Sequence, residues 1–202
     1  MLTNKHYYPT SFARRRLRCN CSRYQSHSEV VRSLQTKIKD SEKDLIQSSL
    51  LEQDIRKLVS SLQACPYPCQ AYDEKLSSTW RLLWTTEKET LFILANAKFF
   101  GTSAGNVYQI IDVNAKRLQN VITFPPEGSF VVNSDLNSDG HSRCSFKFTA
   151  AALNLPNQRK IPFPPFGQGW FETLYLDEEM RVSVDIRGDI LVTERDGPPM
   201  FF

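Results

Sequence analysis

The chain is short of several things at once. No apolar run approaches the roughly 20 residues of a membrane-spanning helix, and the longest clusters, such as Thr90–Ala95, are strand-sized. Contact with a lipid or a membrane must therefore be made from the surface or inside a cavity. The N-terminus lacks the continuous apolar stretch of a secretory signal. Histidine is scarce: of three, only His141 follows residue 28, in a loop of Ser, Asn, Asp and Gly. There is no Gly-x-Ser-x-Gly elbow, no phosphate-binding loop and no dinucleotide fingerprint. Asp135 and Asp139 stand without the remaining ligands of a calcium loop. These absences argue against an enzyme, a cofactor or a bound metal. The catalytic arrangement left open is a buried Glu172–Asp185 pair sharing a proton as acid and base, and nothing in the sequence brings the two together.

Cysteine is sparse and oddly distributed. Cys19 and Cys21 lie in the basic N-terminus, which leaves Cys65, Cys69 and Cys144. No second Cys/His pair completes a zinc site with Cys65 and Cys69, and Pro66 and Pro68 sit between them. A helix-ending turn with two free thiols fits this segment; a redox-sensitive bridge between the two remains open.

Acid is missing from one place. Met1–Ser28 holds Lys5, Arg14, Arg15, Arg16, Arg18 and Arg23, no Asp or Glu, and many hydroxylated residues. Basic, hydroxylated and acid-poor is the composition of an organellar transit peptide, with a disordered arm that grips nucleic acid as the plainer alternative. Composition does not separate plastid from mitochondrion. The formal charge of the whole chain is +3. Without that segment 19 basic residues face 22 acidic ones, a balance of −3. A weakly acidic body argues against a nucleic-acid partner.

What is present divides into a helical and a strand-rich part. Between Glu29 and Ala64 apolar residues recur at Val30, Leu34, Ile38 and Leu45, then Leu50, Leu51, Ile55, Leu58, Val59 and Leu62, the spacing of one helix face. The first half is charged and reads as a solvated or coiled-coil segment. Ser48–Leu62 is the stronger amphipathic helix, expected to cap the end of the strand-rich part rather than lie on a lipid surface, since its polar face carries both signs. Pro66 and Pro68 stop it. From Leu76 the period becomes two. Strands are expected at Trp80–Thr85, Leu91–Leu94, Asn106–Val113, Arg117–Phe124, Ser129–Asn133, Arg143–Thr149, Trp170–Leu176, Met180–Ile186 and Asp189–Glu194, with a loop over Leu155–Gly169. Short strands at such spacing predict an up-and-down barrel or a sandwich.

Several ordered motifs then point to one family. Ile161-Pro162-Phe163-Pro164-Pro165-Phe166-Gly167-Gln168-Gly169-Trp170-Phe171-Glu172-Thr173-Leu174-Tyr175-Leu176-Asp177, with Met180-Arg181-Val182 and Arg187-Gly188-Asp189-Ile190 after it, closely resembles the plastid-lipid-associated, or fibrillin, family. Trp80-Arg81-Leu82-Leu83-Trp84-Thr85, Gly105-Asn106-Val107-Tyr108-Gln109-Ile110-Ile111-Asp112 and Asn120-Val121-Ile122-Thr123-Phe124 resemble it too, so the likeness runs from about Ser48 to Asp196. The resemblance implies a plastid protein, with residues 1–28 as a chloroplast transit peptide, 29–69 as a helical segment, 76–197 as the family's domain and 198–202 as a tail. It implies a mainly β, lipocalin-like antiparallel β-barrel with N-terminal α-helices, and a non-enzymatic role in binding or coating hydrophobic lipids (isoprenoids, prenylquinones, acyl lipids) at plastoglobules or thylakoids. The alternative is an accessory protein for an enzyme of plastid lipid metabolism. Lipocalins open with Gly-x-Trp; here Ser78 replaces that glycine before Trp80, and Arg195 is placed to close the barrel base over Trp80, a contact worth about 0.5–2 kcal/mol.

A barrel of about eight strands either fills with side chains or holds one small ligand. Inward pairs from alternation are Leu82 with Trp84, Tyr108 with Ile110, Phe146 with Phe148, and Leu174 with Leu176, with the parity undecided. Polar candidates for a ligand's head are Gln109, Asn120, Glu172, Arg181 and Asp185, each of which also reads as solvent face. Phe163, Phe166 and Trp170, in the Pro- and Gly-rich loop, suit either insertion into a lipid surface or a lid over the barrel end.

Overall fold

The computed structural model describes residues 26–41, 49–64, 74–97, 103–138, 142–156 and 159–202. Most of the basic N-terminal segment, the Cys65–Cys69 pair, Leu45, Asp139 and His141 lie outside them. The elements are α1 (His27–Ser41), α2 (Ser49–Ala64), β1 (Ser78–Thr85), α3 (Lys88–Asn96), β2 (Val107–Asp112), β3 (Arg117–Phe124), β4 (Gly128–Ser138), β5 (Arg143–Asn154), β6 (Lys160–Phe163), β7 (Gln168–Leu176), β8 (Met180–Asp185) and β9 (Ile190–Arg195). All strand pairs are antiparallel. The order β4-β3-β2-β1-β9-β8-β7-β5 is closed by β4 against β5, so eight strands form a ring. The N-terminal half of β5 pairs β7 and its C-terminal half pairs β6, which adds a ninth strand at one end.

Two expectations change. Leu91–Leu94 belongs to the helix α3, not to a strand. A short apolar run is ambiguous between the two, and here β1 pairs β2 and β9 directly, leaving no ladder position for it. The ninth strand is instead β6, inside the segment expected to be loop. The chain turns back after it through Gly167, whose φ of 147° and backbone approach to Phe148 suit only glycine: a Cβ there would lie 2.6 Å from the Phe148 ring.

Which face points inward follows from who meets whom. Trp80, Ile111, Leu118, Leu136, Cys144, Phe171 and Leu176 form one cluster with Leu76. They come from six strands spread around the ring, and only inward-facing side chains can gather that way. A second cluster joins Val30, Val31, Leu34, Ile38, Ile55, Val59 and Leu62 of the helices to Trp84, Leu174, Tyr175, Met180, Val182, Ile190 and Val192. This is the outer face of β7, β8 and β9 with the end of β1. The helices therefore lie along the side of the ring and do not cap its end, and α1 is not a solvated segment, since Val30, Leu34 and Ile38 are buried. Lys37 on α1 also meets Asp54 on α2 at 2.7 Å.

Two β-bulges explain why simple alternation misassigns residues. The β1–β9 register slips between Leu82 and Trp84, and the β7–β8 register between Thr173 and Tyr175. An extra residue in a strand flips the parity beyond it. Leu82 thus faces in while Trp84 faces the helices, and Leu174 lies under the helices while Leu176 faces in.

A third cluster, Ile110, Val121 and Val131, lies on the outer face of β2–β4 and is covered by Phe201 from the C-terminus. The tail is strapped down by Ser78 Oγ to Gly197 O (2.7 Å), Thr79 Oγ1 to Pro198 O (2.7 Å) and Phe202 N to Gln119 Oε1 (2.8 Å).

This packing makes a checkable contrast on one helix. Ile55 is fully buried, whereas Leu50 is 73% exposed. Urea unfolding should show Ile55→Ala destabilised by about 2–5 kcal/mol and Leu50→Ala changed by less than about 0.5 kcal/mol.

Candidate functional site

The ring interior has a filled end and an open end. At the filled end Trp80 donates Nε1 to Leu76 O at 2.9 Å, and the Arg195 guanidinium lies 4.4 Å over its ring. Arg195 spends its donors on the carbonyls of Glu178 (2.7 Å), Lys75 (2.6 Å), Ser77 (3.4 Å) and Asp177 (3.4 Å). Those carbonyls belong to the entry to β1 and to the β7–β8 connection, so one side chain ties the base together.

The other end holds two adjoining chambers. The inner one, about 220 Å³, is walled by Leu82, Asn120, Val132, Phe148, Leu191 and Thr193, with Gln109 beside them. Glu87, Thr90 and Ile93, at the start of α3 and along it, form its rim. The outer chamber, about 500 Å³, is bounded by Phe124 and Pro126 of the β3–β4 turn, by Leu153 and Leu155, and by Phe163. Ile93 and Phe130 border both. The outer walls are almost wholly apolar. The inner chamber carries the polar groups.

Behind Gln109 and Thr193, which line the chamber, lies Arg181. Its side chain is fully buried, between the rings of Trp80 (5.5 Å) and Phe171 (5.4 Å). Nη2 donates to Gln109 Oε1, Nε approaches Thr193 Oγ1 at 3.5 Å, and Nη1 has no partner. Burial draws its pKa down to about 9, with Cys144 and then Glu87 pulling the other way, so it is charged at neutral pH. Gln109 passes the polarity on, donating Nε2 to Asn120 Oδ1 at 3.1 Å. At the rim Glu87 accepts from Thr90 Oγ1 (2.9 Å), and its carboxyl is held above the usual range, first by burial and then by the neighbouring Asp185 and Asp189, against that hydrogen bond. Glu89 is paired with Arg187 across the mouth.

Of the residues expected to bind ligand, the structure places Gln109, Asn120 and Phe148 on the inner chamber, with Arg181 hydrogen-bonded to Gln109 behind them. Phe146 stacks on Phe148 at 5.5 Å and packs on the base cluster. Tyr108 borders the inner chamber as well, with its ring 6.1 Å from that of Phe202. The remaining expectations are corrected. Trp84 and Leu174 lie under the helices. Glu172 takes Ser142 Oγ (2.8 Å) and Arg143 Nε (3.2 Å) on the outer face. Asp185 accepts the backbone N–H groups of Arg187 and Asp189, both at 2.8 Å, and so shapes the β8–β9 turn. The register puts Glu172 opposite Val184 and Asp185 opposite Phe171, on opposite faces, so they do not share a proton. Trp170 lies on the outer face under Arg143, 4.2 Å from its ring. Phe163 meets Phe130 edge-on at 5.8 Å as part of the mouth, and Phe166 is 83% exposed. Sequence reasoning missed Glu87, Ile93, Phe130, Leu191 and Thr193. The first two were hidden by reading α3 as a turn and strand. Among the described residues no group of His, Cys, Asp and Glu is arranged to hold a metal.

Glu87 supplies a signed test. A carboxyl whose folded pKa is raised favours the folded state in its protonated form, and that stability is lost as pH rises from the ordinary value of 4.5 through the folded value. Glu87→Gln should therefore raise Tm at pH 7–8, and the gain should vanish below pH 4.5. Thermal unfolding followed by circular dichroism across pH 4–8 measures it.

Comparison with known proteins identifies the lineage. The PAP_fibrillin family model matches residues 28–194. A curated relative from Arabidopsis thaliana, "Probable plastid-lipid-associated protein 11, chloroplastic", is 56% identical over 123 residues, which is 61% of this chain. The match spans 58% of the relative's own length. No solved structure matches. With a family model covering the helices and nearly the whole ring, the chain belongs to the PAP_fibrillin family.

Proposed function

We propose that this is a plastid protein that holds a hydrophobic lipid in the open end of a lipocalin-like barrel and works at plastoglobule or thylakoid surfaces, without catalysis. Family membership and the chloroplastic relative support the plastid and the association with lipid. The basic segment before α1 serves as the transit peptide in this reading.

The observation that carries the proposal is the paired chamber. A space of about 500 Å³ with apolar walls, joined to a smaller one with a few polar groups, has the size and chemistry of a small-molecule site. Filling it with hydrocarbon removes apolar surface from water at about 25 cal/mol per Å². The rim supports delivery from a lipid surface. Phe92 on α3 is 66% exposed, and Phe163 at the end of β6 and Phe166 and Ile186 in loops are exposed too. Immersing a phenylalanine side chain is worth about 1.5–3 kcal/mol, so a few such residues suffice for reversible attachment. No helix among the described residues is long and apolar enough to cross a membrane.

Native mass spectrometry with lipid extraction, on protein expressed in a plastid, tests the cavity. A defined lipid bound one-to-one is expected, and Phe130→Glu, which puts a charge at the junction of the chambers, should abolish it. Protein that always emerges empty would overturn the reading. For the rim, Phe92→Ser with Phe166→Ser should lower liposome flotation about tenfold or more without changing Tm by more than a few degrees; unchanged flotation would remove the rim from the proposal.

A further inference from the structure

The chambers differ in polarity, and that difference narrows the ligand. Arg81, Arg143 and Arg187 are all partly exposed, and each has a carboxylate partner. Arg181 is fully buried and has none among the described residues, only Gln109, Thr193 and two aromatic faces. A buried cation without a counter-charge is expensive, and leaving Nη1 unbonded adds to the cost. Aromatic faces and neutral dipoles offset that cost only in part.

The rim acids do not supply what is missing. Glu89 is occupied by Arg187, and Glu87 is bonded by Thr90 with its ionised form disfavoured by burial. Meanwhile the positive charge is relayed toward the chamber. Arg181 donates to the Gln109 carbonyl oxygen, and the Gln109 amide donates to the Asn120 carbonyl oxygen. The two amides align head to tail, with the Asn120 Nδ2 as the donor end, and both residues line the inner chamber. The site is built to receive negative charge. Its inner part, about 220 Å³, adjoins the apolar outer chamber, about 500 Å³, at Ile93 and Phe130.

Resting on the cavity reading above, we propose that the ligand is a lipid with an acidic head, a long-chain carboxylic acid. Its carboxylate sits on the Asn120 and Gln109 amides over Arg181, and its chain runs past Ile93 and Phe130 into the outer chamber. Neutral lipids of similar shape fit the apolar part but leave the arginine uncompensated.

The test is competition by oleic acid and by oleyl alcohol against a bound fluorescent lipid probe, on the full chain after delipidation. The wild type should prefer the acid about tenfold or more. Arg181→Met should abolish that preference. Asn120→Leu keeps Arg181, serves if the first variant does not fold, and should reduce the preference several-fold. Equal binding of acid and alcohol by the wild type, or a preference that survives Arg181→Met, overturns the head-group assignment while leaving the cavity reading intact. Binding of neither compound overturns both.

Discussion

Closing eight antiparallel strands into a ring gives their side chains one of two destinations, a narrow interior or an outer face. Everything else in this protein answers that division. The interior is wide enough that six strands meet at one end in a solid cluster around Trp80 and Leu76, yet the same strands leave open chambers at the other. The outer face is too apolar to be left to water over β7, β8 and β9, so α1 and α2 cover it. Over β2, β3 and β4 the cover is the C-terminal tail with Phe201. The helices and the tail are thus two solutions to one requirement, applied on different sides of the ring.

The two interior arginines show how differently a cation can be handled. Arg195 closes the base over an indole face and is satisfied by backbone carbonyls from two connections. Its role is complete within the protein. Arg181 lies deeper, near the same indole, with one amide and one hydroxyl for company. Charge that a fold leaves uncompensated in its interior is costly, and proteins keep it where function uses it. Their partners separate the two: Arg195 is held by the carbonyls of the filled base, and Arg181 is bonded to Gln109 and Thr193, which line the inner chamber.

The mouth carries a third pattern. α3 follows β1 directly and brings Glu87, Thr90 and Ile93 to the inner chamber while turning Phe92 to solvent. The Arg187–Glu89 pair links it to the β8–β9 turn. None of α3's side chains is fully buried, so little packing holds it in place.

The sequence by itself determined a great deal. Helical periodicity marked Val30, Leu34, Ile38, Ile55, Val59 and Leu62, and all six are buried. Period two marked most strands, and the motifs around Trp80, Gly105 and Phe163 pointed to the family. Such signals are local: a side chain's face within a helix or strand repeats every few residues. What only the tertiary structure decided is non-local. The two bulges turned Trp84 and Leu174 outward, because one inserted residue inverts parity in a way that alternation cannot register. Leu91–Leu94 became a helix because the neighbouring ladder was already occupied by β9. Glu172 and Asp185, the acid–base arrangement that the sequence left open, stand on opposite faces. Gln109, Asn120 and Arg181 came together from three strands because ring closure brings β1 and its neighbours around them, and no spacing along the chain encodes that meeting.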